Sequence, residues 1–136
     1  MIIVLTTFPN SETAQKCATL IIEKELGACV NLINISNSFY KWEGKIQIHP
    51  EFLLLIKTTK KAYLQLEHLI KAQNPNKNPE IIYLEIKGGN SSYLSWVDSS
   101  VLSKLLSVPL DLNAMKRTAT PLRESASAKK PNTLFK

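Results

Sequence analysis

The first 106 residues contain no arginine, and the whole chain of 136 has only four glycines and two cysteines. Each shortage excludes something. Cys17 and Cys29 form neither a disulfide framework nor a zinc pattern, so a reducing compartment, the cytoplasm, is the expectation. The few glycines build no G-x-G-x-x-G or phosphate loop, and the one pair, Gly88-Gly89, suits a turn at the end of a strand. The apolar start Met1-Ile2-Ile3-Val4-Leu5 gives way at once to Thr6-Thr7-Phe8-Pro9, too short for a signal peptide or a membrane span, so no membrane partner is expected. His49 and His68 lack a metal-type spacing. No nucleophile sits beside a base and no carboxylate pair is evident, which argues against an enzyme.

Charge is unevenly placed. Residues 1–106 carry 11 Lys against 9 Asp and Glu, a net of +2, whereas residues 107–136 carry 6 Lys and Arg against 2 acids, a net of +4. Nucleic-acid binding draws on clustered cations, so any contact with an anionic partner is expected of the tail alone. That tail is rich in Ser, Thr, Pro, Ala and Lys with one aromatic, Phe135, and buries too little to offset its ordering entropy. The expected division is a folded domain over 1–106 and a basic, disordered tail over 107–136, with Val108-Pro109-Leu110 as the part able to pack back.

Within the domain, hydrophobic residues make up enough of the chain for a core without metals or disulfides, 44% overall. The run Ile2-Ile3-Val4-Leu5 predicts a strand buried on both faces. Asn10 is the expected cap of a helix whose apolar face is Ala14, Cys17, Ala18, Ile21 and Ile22, with Gly27 as its left-handed terminator. Val30, Leu32, Ile33 and Ile35 lead into Phe39-Tyr40-Lys41-Trp42-Glu43-Gly44-Lys45, where a Glu-Gly turn returns the chain through Ile46 and Ile48 as a long hairpin. The returning strand bends at His49-Pro50 and continues as the central Phe52-Leu53-Leu54-Leu55-Ile56.

A second helix spans 60–73, facing inward through Ala62, Leu66, Leu69, Ile70 and Gln73, and Asn74 to Pro79 stops it. A fourth strand is expected at Ile81–Ile86. Leu94, Val97, Val101 and Leu105 mark one face of a C-terminal helix. This order is α+β, a ferredoxin-like split βαβ antiparallel sheet with helices on one face.

Six blocks in this order resemble the CutA family of divalent-cation tolerance proteins over residues 1 to 104: Thr6-Thr7-Phe8-Pro9, Gly27-Ala28-Cys29-Val30-Asn31-Leu32, the aromatic hairpin, Leu55-Ile56-Lys57-Thr58-Thr59, Asn78-Pro79-Glu80-Ile81-Ile82, and Tyr93-Leu94-Ser95-Trp96. The resemblance implies a compact homotrimer with a part in the response to metal ions, such as copper tolerance, and no established reaction. It also implies that Cys29, Tyr40, Trp42, Lys57 and Glu80 approach clefts between subunits, where Lys57 and Glu80 could pair.

The metal place of that family takes a cysteine from the end of the first strand and histidines from the loop after the second helix. Here those positions read Thr6, Gln73 and Asn74, poor ligands for copper or other soft ions, so no cofactor is expected. Cys29 is left as the one metal candidate, a soft donor for Cu(I) or Hg(II), against the plainer role of a small apolar packing residue. Tyr40 and Trp42 are interface packing or the walls of a pocket. A PII-like trimeric small-molecule sensor and a tail-mediated adaptor are the alternatives of other classes.

Overall fold

The computed structural model describes residues 1–103; the basic tail, the domain boundary at 106 and Leu105 lie outside the described residues. The elements run β1 (Ile2–Phe8), α1 (Ser11–Glu23), β2 (Cys29–Trp42), β3 (Lys45–Thr58), a 3₁₀ turn (Lys60–Ala62), α2 (Tyr63–Gln73), β4 (Ile81–Glu85) and α3 (Ser91–Ser100). The sheet order is β2-β3-β1-β4 with every neighbour antiparallel, the split βαβ plan of a ferredoxin-like α+β fold.

Helix α1 starts where Asn10 Oδ1 accepts the Thr13 N–H at 2.9 Å. Its end departs from expectation. The left-handed residue is Glu25, at φ 56°, and the Leu26 N–H to Ile21 C=O bond with the Glu25 N–H to Ile22 C=O bond close a Schellman motif two residues earlier than Gly27. Gly27 is required for a different reason: a Cβ there would lie 2.8 Å from Ile56 Cγ2 and 2.9 Å from Ile21 Cγ2. The strained Glu25 is braced from α3, with its C=O accepting the Leu102 N–H at 2.9 Å and its Oε1 accepting Ser103 Oγ–H at 2.7 Å.

Pleating sorts the sheet into two faces. Ile2, Val4, Thr6 and Phe8 of β1 with Leu54, Ile56 and Thr58 of β3 are buried, in one core with Ala14, Cys17 and Ile21 of α1 and Leu66, Leu69 and Ile70 of α2. The other face has no such cover. Ile3, Leu5, Leu53 and Leu55 are only partly buried, and Ile82 and Leu84 of β4 stand 49% and 57% exposed. The run Ile2–Leu5, expected to be buried on both faces, is fully buried on one face only within the single chain.

The β2–β3 hairpin extends as an arm. Its tip pairs Trp42 with Lys45 across Glu43 and Gly44, both with positive φ (51° and 78°), the two-residue turn that matches strand twist. The bend expected at Pro50 is a β-bulge: Ile35 pairs with Glu51 and Ser38 with His49, leaving Ser36 and Asn37 opposite the single Pro50. One side of the arm is bare and apolar, with Phe39 68% and Ile46 72% exposed.

Candidate functional site

Beside the bulge lies a cleft of about 560 Å³ lined by Thr7, Ser38, Phe39, Tyr40, Glu51, Asn76, Asn78, Pro79 and Glu80. Four pieces of chain build it: the end of β1, the outer half of β2, Glu51 on β3 and the loop that enters β4. Asn74 fixes that loop. Its Nδ2 donates to the Thr7 C=O at 2.9 Å, at the level where β4 has yet to join the sheet, and its Oδ1 accepts the Asn76 N–H at 3.0 Å in an Asx turn.

The cleft is rich in acceptors. Glu51 is 8% exposed, and its charge together with desolvation, the larger cause, raises the Glu80 carboxyl above the ordinary carboxylate range. Desolvation first and Glu51 second also push the Tyr40 phenol up. The Asn76 side-chain Oδ1 is buried and accepts no hydrogen bond. Along the same side of the arm, Gln47 Oε1 and His49 Nε2 are buried and unpartnered too, with the His49 ring 6.4 Å from that of Tyr40. Among the described residues, neither Glu51 nor Glu80 has an ion-pair partner. The sequence reading found no carboxylate pair; Glu51 and Glu80 correct it, brought together by strand pairing across 29 positions of sequence.

The residues singled out from sequence fall into three places. Tyr40 and Glu80 line the cleft, and Trp42 stands at the hairpin tip, partly exposed. Cys29 and Lys57 face one another at the far end of the β2–β3 ladder, where Lys57 Nζ donates to Cys29 Sγ at 3.7 Å and to Asn31 Oδ1. Six residues of β3 separate Lys57 from Glu51, about 20 Å of extended strand, so Lys57 cannot neutralise this cleft within its own chain.

Cys29 is half-buried with a single thiol and no histidine or acid set around it; among the described residues no group of three or more His, Cys, Asp or Glu is placed to hold a metal. Thr6, Gln73 and Asn74 are all buried, and Asn74 is committed to the loop at both ends of its amide.

A family model described as CutA1 divalent ion tolerance protein matches residues 2–100. The chain belongs to the CutA1 family. It is similar to the divalent-cation tolerance protein CutA of Thermus thermophilus, at 41% identity over 95 residues that cover 70% of this chain and 92% of the relative. It also resembles the chloroplastic CutA 1 of Oryza sativa, 43% identical over 99 residues, of whose length it covers 56%.

Among solved structures, CutA1 from T. thermophilus superposes with a TM-score of 0.71 at 39% identity, covering 74% of this chain and 99% of that one. The structure described as periplasmic divalent cation tolerance protein CutA, from Archaeoglobus fulgidus, gives 0.70 at 34% identity, with 74% and 98% covered. CutA1 relatives therefore carry both chloroplastic and periplasmic descriptions. Among the described residues of this CutA1 chain, no helix is long and apolar enough to cross a membrane.

Proposed function

We propose that this CutA1 protein acts as a homotrimer in the cytoplasmic response to metal ions, without catalysing a reaction and without holding copper itself. The observation that carries assembly is the uncovered sheet face: Ile3, Leu5, Leu53, Leu55, Ile82 and Leu84 form a contiguous apolar surface beside an arm that bares Phe39, Ile46 and Ile48. Copies joined through these surfaces would bury both and close the sheet edges, and the count of three follows from the family resemblance.

Such packing would bring Lys57 of one copy toward a neighbour's Glu80, the pairing a single chain cannot make. The cytoplasmic placement draws on Cys17 and Cys29 being unpaired thiols. Against direct copper binding stand the buried, polar but weakly ligating Thr6, Gln73 and Asn74.

A second reading, a trimeric small-molecule sensor, is favoured by one observation, the acceptor-rich cleft. Native mass spectrometry of protein exposed to copper tests the first reading. Three copies without stoichiometric metal are expected; a monomer at micromolar concentration, or one copper per chain lost in Cys29→Ser, would overturn it.

A further inference from the structure

We propose that the cleft between the hairpin arm and the 74–80 loop binds a small organic cation, a primary ammonium of the kind carried by aliphatic diamines. Glu51 and Glu80 present two carboxylates to one cavity, and among the described residues no cation answers either. Asn76, 7% exposed, adds a buried Oδ1 that accepts nothing. Such a group costs about 1–3 kcal/mol when left unsatisfied, so a donor is wanted. An ammonium supplies three N–H donors and a positive charge together.

Size separates this ligand from a bare metal ion. At about 560 Å³ the cleft lies within the range of small-molecule sites, roughly 300–1,000 Å³. Phe39, Tyr40 and Pro79 add apolar lining around the carboxylates, which suits the methylene chain of an aliphatic amine and places a ring face near its charge. The bulge at Pro50 brings these parts together, since it turns the arm beside Glu51, and bulges recur where a side chain must be re-aimed next to a site.

This inference names the ligand class for the sensor reading and rests on it, so the assembly state of the full-length protein is checked by native mass spectrometry before titration. A missing assembly and a missing site are then read apart. The probe is 1,4-diaminobutane, titrated by calorimetry at constant ionic strength, with 1,4-butanediol as the uncharged analogue and magnesium chloride as the metal arm.

Saturable binding of the diamine alone is expected. In Glu80→Gln, whose exposed position leaves the melting curve intact, the affinity should fall by roughly tenfold or more, as expected on losing one charge-assisted hydrogen bond. Glu51→Gln should weaken it at least as much. Equal heats for diamine and diol, unchanged affinity in Glu80→Gln, or saturation by magnesium with none by diamine would each overturn the proposal. No diamine binding to wild type, appearing only in Lys57→Met, would also overturn it, by showing that a neighbouring subunit's lysine occupies the cleft.

Discussion

Replacing Asn74 by alanine tests how the cleft is held. The side-chain amide makes two buried hydrogen bonds, Nδ2 to the Thr7 C=O and Oδ1 from the Asn76 N–H, and truncation leaves both backbone groups without those partners. At about 1–3 kcal/mol for each buried group so abandoned, the loss is on the order of 2–5 kcal/mol. For a domain of this size one kcal/mol shifts the melting temperature by about 4–8 °C, so even the lower figure predicts a fall of roughly 10 °C. Melting followed by circular dichroism at fixed protein concentration measures it.

Asn74→Asp separates the two bonds. Its carboxylate still accepts from Asn76 but faces the Thr7 carbonyl with a lone pair where a donor stood. Protonation restores a donor, so the folded-state pKa of the new Asp is raised. Its favourable contribution is present at low pH and lost as pH rises, and the deficit relative to wild type should shrink below about pH 4. An alanine variant melting within about 2 °C of wild type would refute the reasoning, because it would show that the amide holds nothing.

Other outcomes are expected. Trp42→Ala should weaken assembly by on the order of 2 kcal/mol, read as dissociation on dilution in sedimentation; a variant that stays assembled at every concentration places Trp42 outside the interface. Burial pushes the Cys17 thiol up to about 12, so an aromatic disulfide reagent at neutral pH should leave Cys17 unmodified until the protein is denatured, and labelling of Cys17 in the native state would contradict its place in the core. Glu80 has a raised pKa, so its contribution to stability is most favourable below the ordinary carboxylate value and is lost as pH rises through the higher folded value. Glu80→Gln should therefore remove that fall, and an unaltered stability profile between mildly acidic and neutral pH would contradict it. Gly27→Ala should destabilise by roughly 1–3 kcal/mol in urea melts through overpacking against Ile56 and Ile21; wild-type stability would show that both side chains yield freely.

Much of the fold was legible because its signals are local. Asn10 before an apolar helical face, Glu43-Gly44 between two strand patterns, Pro50 within a strand and the face from Ala62 to Gln73 each act within a few residues. Glu25 was missed because glycine is the usual left-handed terminator, while here bonds from Leu102 and Ser103 hold a glutamate in that conformation. The cleft was half legible. Tyr40 and Glu80 came from the family resemblance, but Glu51 joins them only through strand register, and the Lys57 contact with Cys29 and Asn31 likewise depends on which residues oppose one another. Asn74 and Asn76 had a signal, an Asn-Pro-Asn stretch able to bracket its own backbone, that was weighed only as a missing metal ligand.

The bulge at Pro50 separates two quantities that strand pairing ordinarily ties together. Inward of it, odd-numbered residues of β2 such as Ile33 and Ile35 share a face with Leu53 and Glu51; outward of it, even-numbered residues such as Ser38 and Tyr40 share that face with His49 and Gln47. Removing either Ser36 or Asn37 would leave each remaining cross-strand pair intact and return the ladder to plain alternation, with only the added twist lost. The arm's direction can therefore be altered without exchanging the residues on its two sides. Length differences among proteins of this plan are expected to be tolerated at this position, with the hairpin swinging to a new angle while still offering the same surface.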